Sequence, residues 1–160
     1  MKAVGYTTPG SIDREDALTD VEINKPHPEG RDILVRIQAV SVNPVDYKIR
    51  RNAAPAGNAP KILGWDAAGE VVETGNKVEY FKPGDAVWYA GAIDRPGTNA
   101  EFHLVDERIV GRKPNALDYT EAAALPLTAL TSWEMLFDRL RVNDPSPGAG
   151  QSILIIGSAG

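Results

Sequence analysis

Cysteine is absent from the 160-residue sequence, and histidine occurs only twice, at His27 and His103. No disulfide, thiol nucleophile or thiolate metal ligand is therefore available. With two histidines so far apart, a tetrahedral zinc site would need carboxylates in unusual number. A long apolar run is also missing, and Met1-Lys-Ala-Val-Gly-Tyr6 lacks a signal-peptide core. Neither a membrane span nor export is indicated, and a cytoplasmic setting is expected. Basic residues are scattered and the formal net charge is −5. Nucleic acid and anionic membrane both call for a basic face, so neither is expected as a partner. What remains is ordinary for a globular chain: 42% hydrophobic and 24% charged residues, enough for one core, or one domain and part of another.

The chain is organised around Lys61-Ile-Leu-Gly-Trp-Asp-Ala-Ala-Gly-Glu-Val-Val-Glu-Thr-Gly75. β-branched residues bounded by glycines read as a strand with close backbone approach at its ends. Trp65 and Asp66 put an aromatic face and a carboxylate where the chain bends; read blandly, Trp65 only fills the core. Before this stretch, Lys2–Thr7 reads as an opening strand, and Leu18–Ile23 alternates at period two. Lys25-Pro-His-Pro-Glu-Gly30 is turn chemistry that leaves His27 exposed. Ile33–Val42 is a long strand. Asn43-Pro-Val-Asp46 then announces a helix through Arg51: Asn at the cap, Pro at the first helical position, Asp in the first turn. The segment 52–60, poor in large side chains, is a connector that could rim a cleft.

After the central stretch, a Pro-Gly turn feeds a strand ending near Tyr89, and Asn99–Val105 alternates again, with His103 read as a structural histidine. Short strands separated by Gly and Pro suggest a small antiparallel barrel. Composition changes near Asp118. Thr120 is expected to cap a helix that Pro126 interrupts, and a second helix is expected from Leu127 to about Leu140, with Leu130, Trp133, Phe137 and Leu140 on one stripe. Ser152–Ile156 reads as a buried parallel strand. Such a strand needs neighbours, so the sequence is expected to be part of a longer enzyme. Gly157-Ser-Ala-Gly160 fits the start of a dinucleotide fingerprint.

Five stretches, Ser41–Asp46, Leu63–Val71, Pro83–Val87, Ala122–Trp133 and Ile153–Gly160, in this order and spacing resemble the medium-chain dehydrogenase/reductase superfamily. The likeness is nearest to its quinone-oxidoreductase-like branch, often labelled a zinc-binding alcohol dehydrogenase family, and covers about the first half of a typical member. It implies a mostly β chain: a GroES-like catalytic barrel over 1–120, then at 121–160 the first helices and first strand of a Rossmann domain. It also implies an NAD(P)H-dependent oxidoreductase acting on a small molecule, with NADP(H) favoured over NAD(H), homodimeric at full length, and inactive as these 160 residues alone.

In the zinc enzymes of the superfamily, the resemblance places the catalytic ligands at Asn43, Trp65 and Leu127, none a normal zinc ligand. The structural-zinc lobe would fall near Gly91–Gly97, which has no cysteine. Zinc is therefore not expected, and hydrogen-bond donors must replace a Lewis acid. Similar zinc-free members reduce quinones or activated double bonds with a nicotinamide hydride. There Asn43 would line the substrate and nicotinamide pocket, although it serves equally as a helix cap. Asp46 matches a position near the active site, and Lys48 stands where many quinone reductases carry Tyr. Trp65 and Asp66 complete the candidate catalytic set. Asn43, Thr128, Thr131, Gly157 and Gly160 are the candidate cofactor contacts. Two alternatives stay open: a zinc alcohol dehydrogenase, and a noncatalytic GroES-like binding module.

Overall fold

The computed structural model describes residues 1–142 and 153–157. In chain order the elements are β1 (Lys2–Tyr6), β2 (Thr19–Glu22), β3 (Asp32–Ser41), α1 (Pro44–Asn52), β4 (Lys61–Ile62), β5 (Asp66–Thr74), β6 (Ala86–Ala90), β7 (Phe102–Asp106), β8 (Val110–Arg112), α2 (Tyr119–Ala123) and α3 (Pro126–Trp133). The strands form two antiparallel sheets, ordered β2-β1-β4 and β7-β3-β5-β6-β8, bridged at Ala3 and Ala100. The mostly β architecture expected from the turn-punctuated strands is what the chain adopts.

β3 and β5 form the spine of the larger sheet. Ile33, Val35, Ala67, Val71, Val87, Tyr89 and Val105 share one buried cluster, so each strand sends alternate residues to the same face. Fully burying a Val or Ile side chain contributes about 1.5–3 kcal/mol. β5 is covered on its other face too: Ala68 packs with Ala122 and Ala123 of α2, small side chains that let a helix lie close on a strand. A second cluster joins Tyr6, Leu63 and Trp65, with Val45, Ile49 and Leu127 against them.

Two polar clamps hold the loops. Glu107, in a short 3₁₀ turn (Glu107–Ile109) without a sequence signature, is buried. Its carboxylate accepts from the backbone N–H of Glu79 at 2.9 Å and Tyr80 at 2.7 Å, and from Arg31 at 2.8 Å. Arg95 grips Asp32 through two bonds of 2.9 and 2.7 Å, tying the loop before β7 to the start of β3.

The chain divides into two compact units, Met1–Thr128 and Ala129–Gly160. Three local expectations are corrected. Asp118, not Thr120, caps α2: it exchanges bonds with Glu121, the Asp118 carboxylate accepting at 2.8 Å and the Glu121 carboxylate at 2.9 Å. A carboxylate at the cap with Glu three residues on satisfies two orphan donors, which a lone threonine does not. The helix expected to run to Leu140 keeps α-geometry only to Trp133 and continues as a wider π-type turn, Glu134–Arg139. Leu130, Trp133 and Leu140 of its stripe are exposed. Ile153–Ile156, expected as a buried strand, are irregular and exposed, while Ser152 lies outside the described residues. Among the described residues no strand pairs with them, and an extended segment without a pairing neighbour keeps its backbone groups open.

His27 is 82% exposed beside Glu73, whereas His103 is 5% exposed. His103 Nε2 lies 2.9 Å from the Pro96 carbonyl and Nδ1 2.9 Å from the Tyr89 hydroxyl. A carbonyl only accepts, so Nε2 carries the proton and Nδ1 accepts from Tyr89. Burial pushes this imidazole down to about 4. The unfolded chain takes up the proton near 6.5 and the folded chain does not, so the contribution to stability is present above 6.5 and is lost as pH falls toward 4. The whole span is worth about 3 kcal/mol. Urea unfolding of the wild type should therefore weaken between pH 6.5 and 5, and His103→Gln should flatten that limb; an unchanged limb would reject the assignment.

Candidate functional site

The register of the central sheet builds the site. β3 runs antiparallel to β5 with Ser41 opposite Asp66, so the residues just past Ser41 stand over the start of β5. Asn43 follows with an extended backbone (φ −123°, ψ 161°), and Pro44 opens α1. Proline has no N–H to lose at that position and its φ is already helical. Asp46 falls in the first turn, where the helix dipole favours a carboxylate.

Two buried carboxylates organise this corner. Asp46 Oδ2 accepts from the Asn43 backbone N–H and Oδ1 from the Gly64 backbone N–H, each at 2.8 Å. Asp66 Oδ2 accepts from Asn43 Nδ2 and Oδ1 from the Leu127 backbone N–H, again each at 2.8 Å. Asp66 is fully buried, and Asn43 and Asp46 nearly so. Burial pushes the Asp66 carboxyl above the ordinary range; the Asn43 and Leu127 hydrogen bonds oppose that, and the nearby charge of Asp46 adds to it.

Trp65, next to Asp66 in sequence, is 2% exposed, its indole N–H donating to the Ala92 carbonyl at 3.1 Å. It packs with Tyr6, whose hydroxyl bridges the Ile49 and Ala53 carbonyls at 3.1 and 2.7 Å at the end of α1. The space-filling reading of Trp65 describes its surroundings. Gly64 has φ +98°, a backbone that side chains rarely tolerate. A Cβ there would lie 2.5 Å from Thr98 Oγ1 and 2.7 Å from Asn99 Oδ1.

Asn43, Asp46, Trp65 and Asp66 are thus brought together. Lys48 is not: it sits beside Tyr47 on the exposed side of α1. Thr128 is exposed and its hydroxyl donates to the Leu125 carbonyl at 3.0 Å. Thr131 belongs to the second unit and is exposed. Gly157 has φ +75°, compatible with the tight turn a dinucleotide's pyrophosphate needs, and Gly160 lies outside the described residues. Sequence reasoning missed the Gly64 and Leu127 N–H groups, since backbone donors leave no mark in a sequence. A cavity of about 680 Å³ opens elsewhere, between β1, β2 and the later part of β3, lined by Val4, Val21, Ile37, Val40 and Thr98. Neither buried carboxylate lines it.

Residues 29–115 match the alcohol dehydrogenase GroES-like domain. The chain belongs to that family, within the medium-chain dehydrogenase/reductase superfamily. A solved structure from Rhizobium etli CFN 42, designated a zinc-dependent alcohol dehydrogenase protein, is 62% identical with a TM-score of 0.89, over 93% of this chain and 43% of that one. The Escherichia coli quinone oxidoreductase, solved with NADPH, is 30% identical with a TM-score of 0.75, over 85% of this chain and 40% of its own. The 2-methylene-furan-3-one reductase of Solanum lycopersicum is 37% identical over 170 residues, matching 100% of this chain and 41% of its own length. The chain spans about half the length of the curated relatives it matches.

Zinc, which some relatives' names carry, does not fit the donor set of this GroES-like chain. Leu127 offers hydrocarbon, the Trp65 nitrogen is a donor already committed to Ala92, and the Asn43 nitrogen donates to Asp66. Among the described residues no group of three His, Cys, Asp or Glu could hold a metal.

The corner depends on Gly64. Gly64→Ala should destabilise the protein by about 1–3 kcal/mol, read as a shift in the urea midpoint. Gly30→Ala, also at positive φ (+57°) but with nothing within 4 Å of the added carbon, should lose less. Equal losses would mean that contact with Thr98 and Asn99 contributes nothing.

Proposed function

We propose that this chain is the substrate-side half of an NAD(P)H-dependent oxidoreductase that reduces quinones, enones or related carbonyl compounds without zinc. One observation carries the reading: the position implied for a zinc ligand holds instead a nearly buried amide, Asn43, whose orientation is set by Asp66 at 2.8 Å. The nicotinamide supplies the hydride when bound. The chain's own task is to position the acceptor and stabilise the charge that develops on its oxygen. An asparagine Nδ2 has two hydrogens. One is given to Asp66, and the second is the donor we assign to the substrate oxygen. Fixed donors in a dry setting act strongly because they need no reorganisation as charge forms. The relatives solved with NADPH or named as a furanone reductase support the same chemistry, and NADPH is the cofactor we favour. For the complete protein a homodimer is proposed.

The competing role for Asn43 is purely structural, a helix cap. Steady-state reduction of a small quinone and an enone by the complete protein, with NADPH and with NADH, separates the two. Loss of one oxyanion donor typically costs about 2.7–4 kcal/mol in the barrier, roughly a hundredfold to a thousandfold in rate. Asn43→Ala should lower kcat by that amount and leave the KM for NADPH nearly unchanged. A cap alone would instead cost about 1 kcal/mol of stability with turnover intact, and that result would reject the assignment.

A further inference from the structure

We infer that Asp66 is the positioning residue of the site: it fixes which end of the Asn43 amide faces the substrate and ties that choice to the start of α3. The inference rests on the oxidoreductase reading above. An asparagine amide can turn over about its last torsion at little steric cost, exchanging its oxygen for its nitrogen. An ionised carboxylate only accepts hydrogen bonds. With Asp66 Oδ2 at 2.8 Å, the nitrogen end is the one that satisfies it, and the turned-over amide would set two oxygens against each other in a fully buried place. The neighbouring carboxylate completes the restraint, since Asp46 holds the Asn43 main chain at 2.8 Å. Side chain and backbone of one residue are thus pinned by two different carboxylates.

The other oxygen of Asp66 accepts from Leu127, the residue after Pro126 at the head of α3. The first N–H groups of a helix have no partner within it. Here that partner comes from a strand rather than from a preceding cap residue, so α1, β5 and α3 meet on one carboxylate. Asn43 is thereby set to present N–H to an acceptor oxygen such as that of a carbonyl or quinone.

The test is a double-mutant cycle in the complete protein, using Asn43→Ala, Asp66→Asn and the pair, with quinone kcat, KM for NADPH and thermal unfolding measured for each. Asp66→Asn leaves one acceptor oxygen where there were two, so the Asn43 Nδ2 and the Leu127 N–H can no longer both be satisfied. It should lower kcat by about a hundredfold, the cost of a misplaced catalytic group, with KM for NADPH little changed. In the Asn43→Ala background the same substitution should change kcat hardly at all, because the group it orients is gone. Multiplicative losses, or normal turnover in Asp66→Asn beside a slow Asn43→Ala, would overturn the positioning role while leaving the oxidoreductase reading standing. Normal turnover in both single variants would overturn the positioning role and the Asn43 donor assignment together, whereas absence of quinone reduction by the wild type would overturn the oxidoreductase reading itself. If Asp66→Asn does not fold, Asp66→Glu replaces it, with the same criterion: a loss in the Asn43 background that disappears in the Ala background.

Discussion

A fully buried carboxylate with both oxygens occupied is the constraint on which this corner depends. Asp66 begins the central strand β5, receives the Asn43 side chain from the end of β3 and α1, and receives the Leu127 N–H from the head of α3. Leaving such a group without its donors would be costly, since a buried polar atom that loses its partner forfeits its hydration with no return. The two donors are therefore held as firmly as the carboxylate itself. The register Ser41 opposite Asp66 delivers the first. The small-residue contact of Ala68 with Ala122 and Ala123 brings α2, and the chain just beyond it, close enough to deliver the second.

The surroundings keep that arrangement rigid. Gly64 takes a left-handed turn under Thr98 and Asn99 so that its N–H reaches Asp46. Trp65 and Tyr6 fill the space below α1 and bond to backbone carbonyls. At a distance, Glu107 gathers the Glu79 and Tyr80 amides with Arg31, an arrangement of the same kind. The chain uses buried carboxylates to collect backbone donors more than once. The corner at Asn43 differs in holding a side-chain amide, which has a second hydrogen to offer.

The strands and α1 were legible because their signals are local: period-two alternation in β2 and β7, a long β-branched run in β3, and Asn-Pro-Val-Asp at a helix start. Asn43, Asp46, Trp65 and Asp66 stood out as residue types at turns, but their connections did not. The Asn43–Asp66 bond depends on the register of two strands, and the Leu127 contact involves a backbone N–H that any residue but proline would supply. Lys48 was marked by its place after Asp46, and helical geometry turned it to solvent. Thr120 looked like a cap because hydroxyls favour that place, but Asp118 and Glu121 form the reciprocal pair. Ile153–Ile156 showed the limit of pattern reading, since an apolar run becomes a strand only beside a partner.

An amide donor held by carboxylates and a zinc ion are alternative ways of stabilising negative charge on a substrate oxygen, and the donor set here favours the first. The most direct test is metal analysis of the complete protein, purified without added metal, alongside turnover before and after a strong chelator. Zinc far below one equivalent per chain and unchanged reduction of quinone are the predicted results. Stoichiometric zinc whose removal abolishes turnover, and whose return restores it, would contradict the account.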